Sequence, residues 1–436
     1  VGLIWPETAV YLLLISIPVQ DLGALPVTGT NITANKVATG LAAAVFALGF
    51  LASRLKPQAP RAALAPLLAY LSAMWASMLV ARSIGASMAE IYRWLQFLLV
   101  VLLALATLRW TRQWIVVAVI AVLSGAVEGS LGIYQFVTGA GPESFAITEK
   151  FSRAFGTFGM PNSYAGYLAQ IFPLSLALLV GTACYLMSSR SRGHRLPVLA
   201  LWACIVAASS LTLGGLVAAY SRGAWLGTLA ALAVMVLAVS RRLFLGTAVV
   251  LALTLGLVWL QGPPLLPQFL GQRLASLTDQ LQIFDVTQQM VTPANFAVAE
   301  RMSQWQAGIN MFQKNPILGV GIGNYSSAYP DYFVGIWVFS RGHAHNYYIN
   351  SAAETGVIGL AAYLWLLGYW LYSLASASRK QFGLARSMAV GALGAVVAMS
   401  VHNLVDNMHV LSMGVYQGTL YAMGVALSST SFGGKS

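Results

Sequence analysis

EIYRWLQFLLVVLLALATLRWTRQWIVVAVIAVLSGAVEGSLGIYQFV, residues 90–137, holds two long apolar runs separated only by a short linker carrying Arg109 and Arg112. Each run is about as long as the roughly 20 residues needed to cross a hydrocarbon core of about 30 Å at 1.5 Å per residue. Two basic residues in a tight connection between them predict a helical hairpin that turns at a membrane surface. The rest of the chain repeats this pattern. Apolar runs at about 4–20, 37–53, 62–81, 90–108, 115–137, 163–187, 196–219, 224–240, 243–260, 346–376, 387–406 and 408–428 predict twelve spans.

Composition agrees with this. Of 436 residues, 58% are hydrophobic and only 8% charged, and mean hydropathy is +0.73. Soluble domains carry about 25% charged residues, so this chain cannot coat a water-soluble globule. The fold class expected is an all-α polytopic membrane protein with about twelve transmembrane helices and one long, partly helical extracytoplasmic loop. Residues 1–260 would hold spans one to nine, 261–342 the loop, and 343–436 spans ten to twelve. Residues 1–19 lack a basic n-region and are expected to be a span, with no cleaved leader. The tenth span is too long for one perpendicular helix and contains Gly356 and Gly359. The net charge of +12 does not point to nucleic acid, because apolar runs interrupt any continuous basic face.

By alternation, the connections at 54–61, 109–112, 190–195, 241–242 and 379–386 share one side with the C-terminal tail. They hold fourteen Lys and Arg and no acid. The positive-inside rule makes that side the cytoplasm and places both termini there. The opposite face receives eleven of the twelve acids and ten basic residues, so it is nearly neutral overall. The working face is expected on that opposite, extracytoplasmic side.

The long connection is expected to contain a helix over 295–313, in which Val298, Met302, Trp305, Ile309 and Phe312 recur at helical spacing. Arg301, Gln304 and Gly308 share another face of it. The aromatics that follow, Tyr325 through Tyr348, read either as an interfacial belt or as a sugar-stacking platform. Gly319, Gly321 and Gly323 read as a turn, since no strand and helix flank them as in a nucleotide loop. Cys184 and Cys204 read as small buried apolar groups.

Chemistry gathers on the outer face. Arg153, Arg222, Arg301 and Arg341 reach it from distant segments, as do His343, His345, His402 and His409. An arginine at a helix end can snorkel to headgroups. Three converging guanidinium groups without surplus acids instead suit the grip of a pyrophosphate. His343 and His345 lack the HExxH spacing or acidic cluster of a metal site, so no metal is expected, and a general base is the better reading. Glu128, Glu354 and Asp406 lie in or near the apolar layer, where a carboxylate must be paired or face a wet cavity.

These residues resemble the O-antigen ligase superfamily, which also includes Wzy-type polysaccharide polymerases and protein O-oligosaccharyltransferases. The resemblance rests on His345-Asn346 followed after nine residues by Gly356-Val-Ile-Gly359, and on Arg301 with Trp305. Asn315 through Gly321, Tyr220-Ser-Arg222-Gly223, and Arg153 ahead of Pro161-Asn162 extend it. It implies a GT-C-like architecture in a bacterial inner membrane with the active site facing the periplasm, and a glycan donor on undecaprenyl pyrophosphate. The acceptor it implies is the lipid A-core oligosaccharide, among membrane lipids and without nucleic acid or cofactor. It also implies catalytic roles for His345, Arg222 and Arg301. Substrate binding would fall to Arg153, Arg222, Arg301, Arg341, His343, Asn346 and Tyr347. A transporter is the competing class, but no inverted repeat is evident.

Overall fold

The computed structural model describes residues 5–20, 25–27, 30–188, 192–246, 284–288, 290–292 and 295–429. It is an all-α bundle, apart from a small antiparallel hairpin of β1 (Leu25–Val27) and β2 (Thr30–Ile32). Before the long connection the chain forms α1 (Thr8–Ile15), α2 (Ala34–Leu51), α3 (Arg61–Ser77), α4 (Ile84–Thr107), α5 (Thr111–Thr138), α6 (Pro161–Ser188), α7 (Arg192–Ala218) and α8 (Arg222–Val239). After it come α9 (Phe296–Lys314), α10 (Tyr347–Lys380), α11 (Gly383–His402) and α12 (Met413–Ser429).

Among the described residues, nine of these helices are long and apolar enough to cross a membrane: α2 to α8, α10 and α11. The first expected span holds only the eight residues of α1, about 12 Å of helix. The twelfth is α12, 17 residues and about 26 Å long. The ninth expected span lies almost wholly outside the described residues, as do residues 261–283 of the long connection.

Leu41, Leu48, Phe50 and Leu51 on α2 are all more than half exposed, as an apolar face turned toward lipid requires. Cys184 and Cys204 share this outward orientation. The expectation that they are buried in protein is therefore corrected: in a bilayer the outside of a helix is apolar too, so hydrophobicity does not tell its two faces apart. The interior is built around α11, whose Gly391 and Gly394 lie against α6. A Cβ at Gly391 would come within 2.8 Å of Ala177 and Leu174, so glycine lets these backbones approach closely.

The 34-residue α10 would be about 51 Å long if straight. It breaks at Gly356, where φ is +64° and ψ −165°. The Val357 N–H donates to Pro316 O at 2.8 Å, and the Ala353 carbonyl accepts from Val320 N at 2.9 Å. Residues 316–320 thus insert into the helix and satisfy the two groups that the break frees. Gly319, Gly321 and Gly323 all have positive φ, as a tight turn there needs. Glu354, beside the break, accepts from Tyr325 N at 2.9 Å. Glu128 accepts from the Thr157 hydroxyl at 2.6 Å and its amide at 3.1 Å, so both carboxylates are paired.

Helix α9 begins one residue after the expected start. Val298 and Met302 are buried as expected, but Ile309 is 40% exposed, and Ala307 and Met311 take its place inside. The aromatics after it divide, with Phe333 and Phe339 exposed and others buried. Tyr325 and Tyr329 are fully buried with Ala307, Met311, Ala344 and Ala353, forming a small core under α9. Gln304 organises that core: its amide donates to the Tyr329 hydroxyl at 2.8 Å, and its backbone carbonyl accepts from the Tyr325 hydroxyl at 2.6 Å.

Candidate active site

Three connections converge where α9 lies over the bundle. The first is the turn into α8. Tyr220, at φ +59°, reverses the chain so that Arg222 begins α8, and the Arg222 side chain is buried, with 8% of the residue exposed. The second is the extended segment ahead of α6. There the Arg153 Nε donates to Ala219 O at 3.0 Å, and its Nη2 donates to Asn162 Oδ1 at 3.0 Å. The third is residues 403–412, held rigid by Asn403, whose Oδ1 accepts from Met408 N at 2.7 Å.

Arg153, Arg222 and Arg301 line one cavity of about 250 Å³, together with Asn162, His402 and Asp406. Asp406 is the hub of this wall. Its Oδ2 accepts from Asn162 Nδ2 at 2.9 Å and its Oδ1 from Asn407 N at 2.9 Å. His345 Nδ1 lies 3.5 Å from Oδ1, and His343 Nε2 3.8 Å from it. His345 has φ +52°, a conformation that strains a residue with a Cβ by about 1–2 kcal/mol. It is held there from both sides: its carbonyl accepts from Trp305 Nε1 at 3.1 Å, and its amide donates to His343 Nδ1 at 3.0 Å.

Electrostatics follow from this packing. Burial pushes the His343 imidazole down to about 4, helped by the neighbouring His345 and opposed by Asp406. For Asp406, burial alone would raise the carboxyl. The hydrogen bond and charge of His345, with the charges of His343 and His402, outweigh it and hold the group below the usual carboxylate range. Burial lowers the Arg301 guanidinium, while Asp406 and Glu300 oppose it. An arginine tolerates that lowering and keeps its charge.

Other candidate residues occupy different places. Arg341 pairs with Glu300, with Nε at 2.7 Å and Nη2 at 2.5 Å, and does not line the cavity. Asn346 caps α10, accepting from Tyr348 N and Ile349 N, and its amide donates to Leu404 O at 2.9 Å. Tyr347 is buried in the bundle, its hydroxyl 2.8 Å from that of Tyr70, and its amide donates to Asn403 O at 2.8 Å. Asn346 and Tyr347 therefore stitch the His345 segment to the Asp406 loop.

Asp406, Asn162 and His402 are the members that sequence reasoning did not place in the site. The usable signal was the carboxylate at the membrane edge that needed a partner. His402 is buried, and its Nδ1 has no hydrogen-bond partner among the described residues. His343, His345 and Asp406 offer ligand atoms within 4.8 Å of one another, a spacing that a metal ion would accept.

The fold and cavity define a multi-pass helical membrane protein with a polar, arginine-lined site at one end of its bundle. The O-antigen ligase family model matches residues 207–364, so that segment is similar to this family, in line with the resemblance in the motifs. The match takes in Arg222, Arg301, His345 and the Gly356 break, while Arg153 and Asp406 lie outside it. No curated protein matches the chain. Members of this family are glycosyl-transfer enzymes, ligases and polymerases of lipopolysaccharide-related glycans.

Proposed function

We propose that this protein is an O-antigen ligase. In this reading it moves a glycan from undecaprenyl pyrophosphate to the lipid A-core oligosaccharide, at the periplasmic face of the inner membrane. The observation that carries the reading is the sharing of one cavity wall by three guanidinium groups and a carboxylate that also faces His345.

An acceptor hydroxyl must lose its proton as it attacks the anomeric carbon, and the leaving pyrophosphate gathers charge in the same step. Asp406 faces Nδ1 of His345, so with the proton on Nδ1 the other ring nitrogen, Nε2, is the base. As Nε2 takes the hydroxyl proton, the imidazolium that forms is stabilised by the same carboxylate. Arg222 and Arg301 bind the pyrophosphate and offset its growing charge, and Arg153 is anchored beside them by Asn162. Direct displacement inverts the anomeric centre, and the reading assigns no step to a metal. General-base catalysis of this kind is worth about 10²–10⁴ in rate.

The test is glycan transfer by the purified protein from a lipid-pyrophosphate donor to lipid A-core, to a growing carrier-linked glycan and to a serine peptide, each with and without chelator. Transfer to lipid A-core alone supports the ligase reading. Extension of the carrier-linked glycan alone would make the chain a polymerase, and modification of the peptide alone a protein glycosyltransferase.

A further inference from the structure

His345 stands in a left-handed backbone conformation, at φ +52°, which a residue with a Cβ keeps only where its surroundings over-determine it. The bonds that fix this segment can be named. Ala344 N donates to Asn350 Oδ1 at 3.0 Å on one side of His345, and Tyr347 N donates to Asn403 O at 2.8 Å on the other. The His345 carbonyl accepts from Trp305 Nε1 at 3.1 Å. Its amide is held by a side chain from two residues back, donating to His343 Nδ1 at 3.0 Å.

That last bond fixes the tautomer of His343. A backbone N–H donates only to a ring nitrogen without a proton, so the neutral ring carries its proton on Nε2. Nε2 is the atom that faces Asp406 Oδ1, at 3.8 Å, beyond hydrogen-bond length. The Nδ1 lone pair is engaged and Nε2 is protonated, so His343 cannot take up a proton without giving up the His345 amide, nor a metal ion without losing its Nε2 proton. Its firm contact is with the backbone of His345, and not with the carboxylate that both rings face. The φ of His345 decides where its Cβ points, and a return to negative φ would swing the imidazole away from Asp406.

We propose that His343 is a positioning residue, whose Nδ1 pins the amide of His345 and so holds that ring against Asp406. The proposal rests on the ligase reading only in taking His345 as the base. It assigns His343 neither proton transfer nor substrate contact.

The test exploits two amides of different length in the full chain. Asparagine places its Oδ1 where Nδ1 stood, as in an Asx turn, whereas glutamine carries its amide out to the position of Nε2. With whichever of the three acceptors the wild-type protein uses, His343→Ala and His343→Gln are each expected to lower kcat by about tenfold or more, with donor and acceptor KM within about threefold. His343→Asn is expected to rescue kcat to within about threefold of wild type. Rescue by glutamine and not by asparagine would overturn the proposal in favour of a role toward Asp406. A raised KM at unchanged kcat would also overturn it, making His343 a substrate contact, as would wild-type kcat in His343→Ala. The Asn and Gln pair decides even where His343→Ala yields no folded protein.

A second measurement needs no turnover. In the wild-type chain labelled with ¹⁵N-histidine, with His343→Asn used for assignment, the ring nitrogens of His343 are expected to show a neutral imidazole protonated on Nε2. A proton on Nδ1 would overturn the proposal. If the wild-type protein transfers glycan to none of the acceptors, the ligase reading fails, while this measurement still decides the bond between His343 and His345.

Discussion

His345 and Asp406 are 61 positions apart in the chain, yet the Nδ1 of one lies 3.5 Å from the Oδ1 of the other. Through Asn162 the same carboxylate reaches Arg153 in two hydrogen bonds. The carboxylate that faces the proposed base therefore also belongs to the framework that positions an arginine of the cavity wall.

In the proposed mechanism Asp406 acts through His345, so its removal should be felt in turnover more than in donor binding. Asp406→Asn keeps the shape but loses the charge that stabilises the imidazolium. It is expected to lower kcat by about 10²-fold or more, with donor KM changed less than threefold. Asp406→Glu should recover part of the loss. Steady-state kinetics with a lipid-pyrophosphate donor checks both.

The arginines should not be exchangeable with lysine. A guanidinium presents a planar fork to phosphate oxygens, whereas an ammonium presents a point charge. Arg222→Lys and Arg301→Lys are each expected to raise donor KM or lower kcat by about tenfold, in the same transfer assay.

Arg341 provides the contrast. Paired with Glu300 and 54% exposed at its side chain, it lies outside the cavity lining. Arg341→Ala is expected to change kcat/KM by less than about tenfold. A larger loss would show that the pair rearranges to reach substrate.

His343 makes stability depend on pH. Its folded pKa of about 4 lies below the ordinary 6.5, so between those values the unfolded chain holds the proton that the folded one excludes. Stability attributable to this group is therefore complete above about pH 6.5 and is lost as pH falls toward 4, by roughly 1–3 kcal/mol. Asp406, also lowered, adds a loss that begins only near or below about pH 4, where the unfolded carboxyl takes its proton. Thermal unfolding in detergent at pH 7.5 and pH 5 should show the first effect, and His343→Ala should reduce it.

The break in α10 admits no side chain. A Cβ at Gly356 would fall 2.1 Å from Ile317 O, at a φ of +64°. Gly356→Ala is expected to cost more than about 2 kcal/mol, read as a lower unfolding temperature and reduced yield of folded protein.

Much of this molecule was legible in one dimension. Apolar runs separated by arginines marked the spans, because a bilayer demands about 20 apolar residues per crossing and acts on each segment separately. The same local logic showed the helix at 296–314 and the turn at Gly319–Gly323. It also brought Arg222, Arg301 and His345 forward as candidates. Local logic failed for side chains whose environment is set by distant residues. Ile309 fits the apolar stripe of α9 yet faces outward, because the small residues Ala307 and Gly308 are what allow close packing beneath. The hydroxyl of Tyr347 shares a hydrogen bond with that of Tyr70, 277 positions away, which no local pattern shows.

By itself, then, the sequence determined that this chain is an all-α polytopic membrane protein and where the nine long apolar helices of the described residues lie. Only the tertiary structure decided that Asp406 and Asn162 line one cavity with Arg153, Arg222 and Arg301, and that Arg341 stands outside it. The physical reason is range. Membrane insertion is read segment by segment from hydrophobicity, whereas a buried charge is placed by partners that only folding brings within a few ångströms.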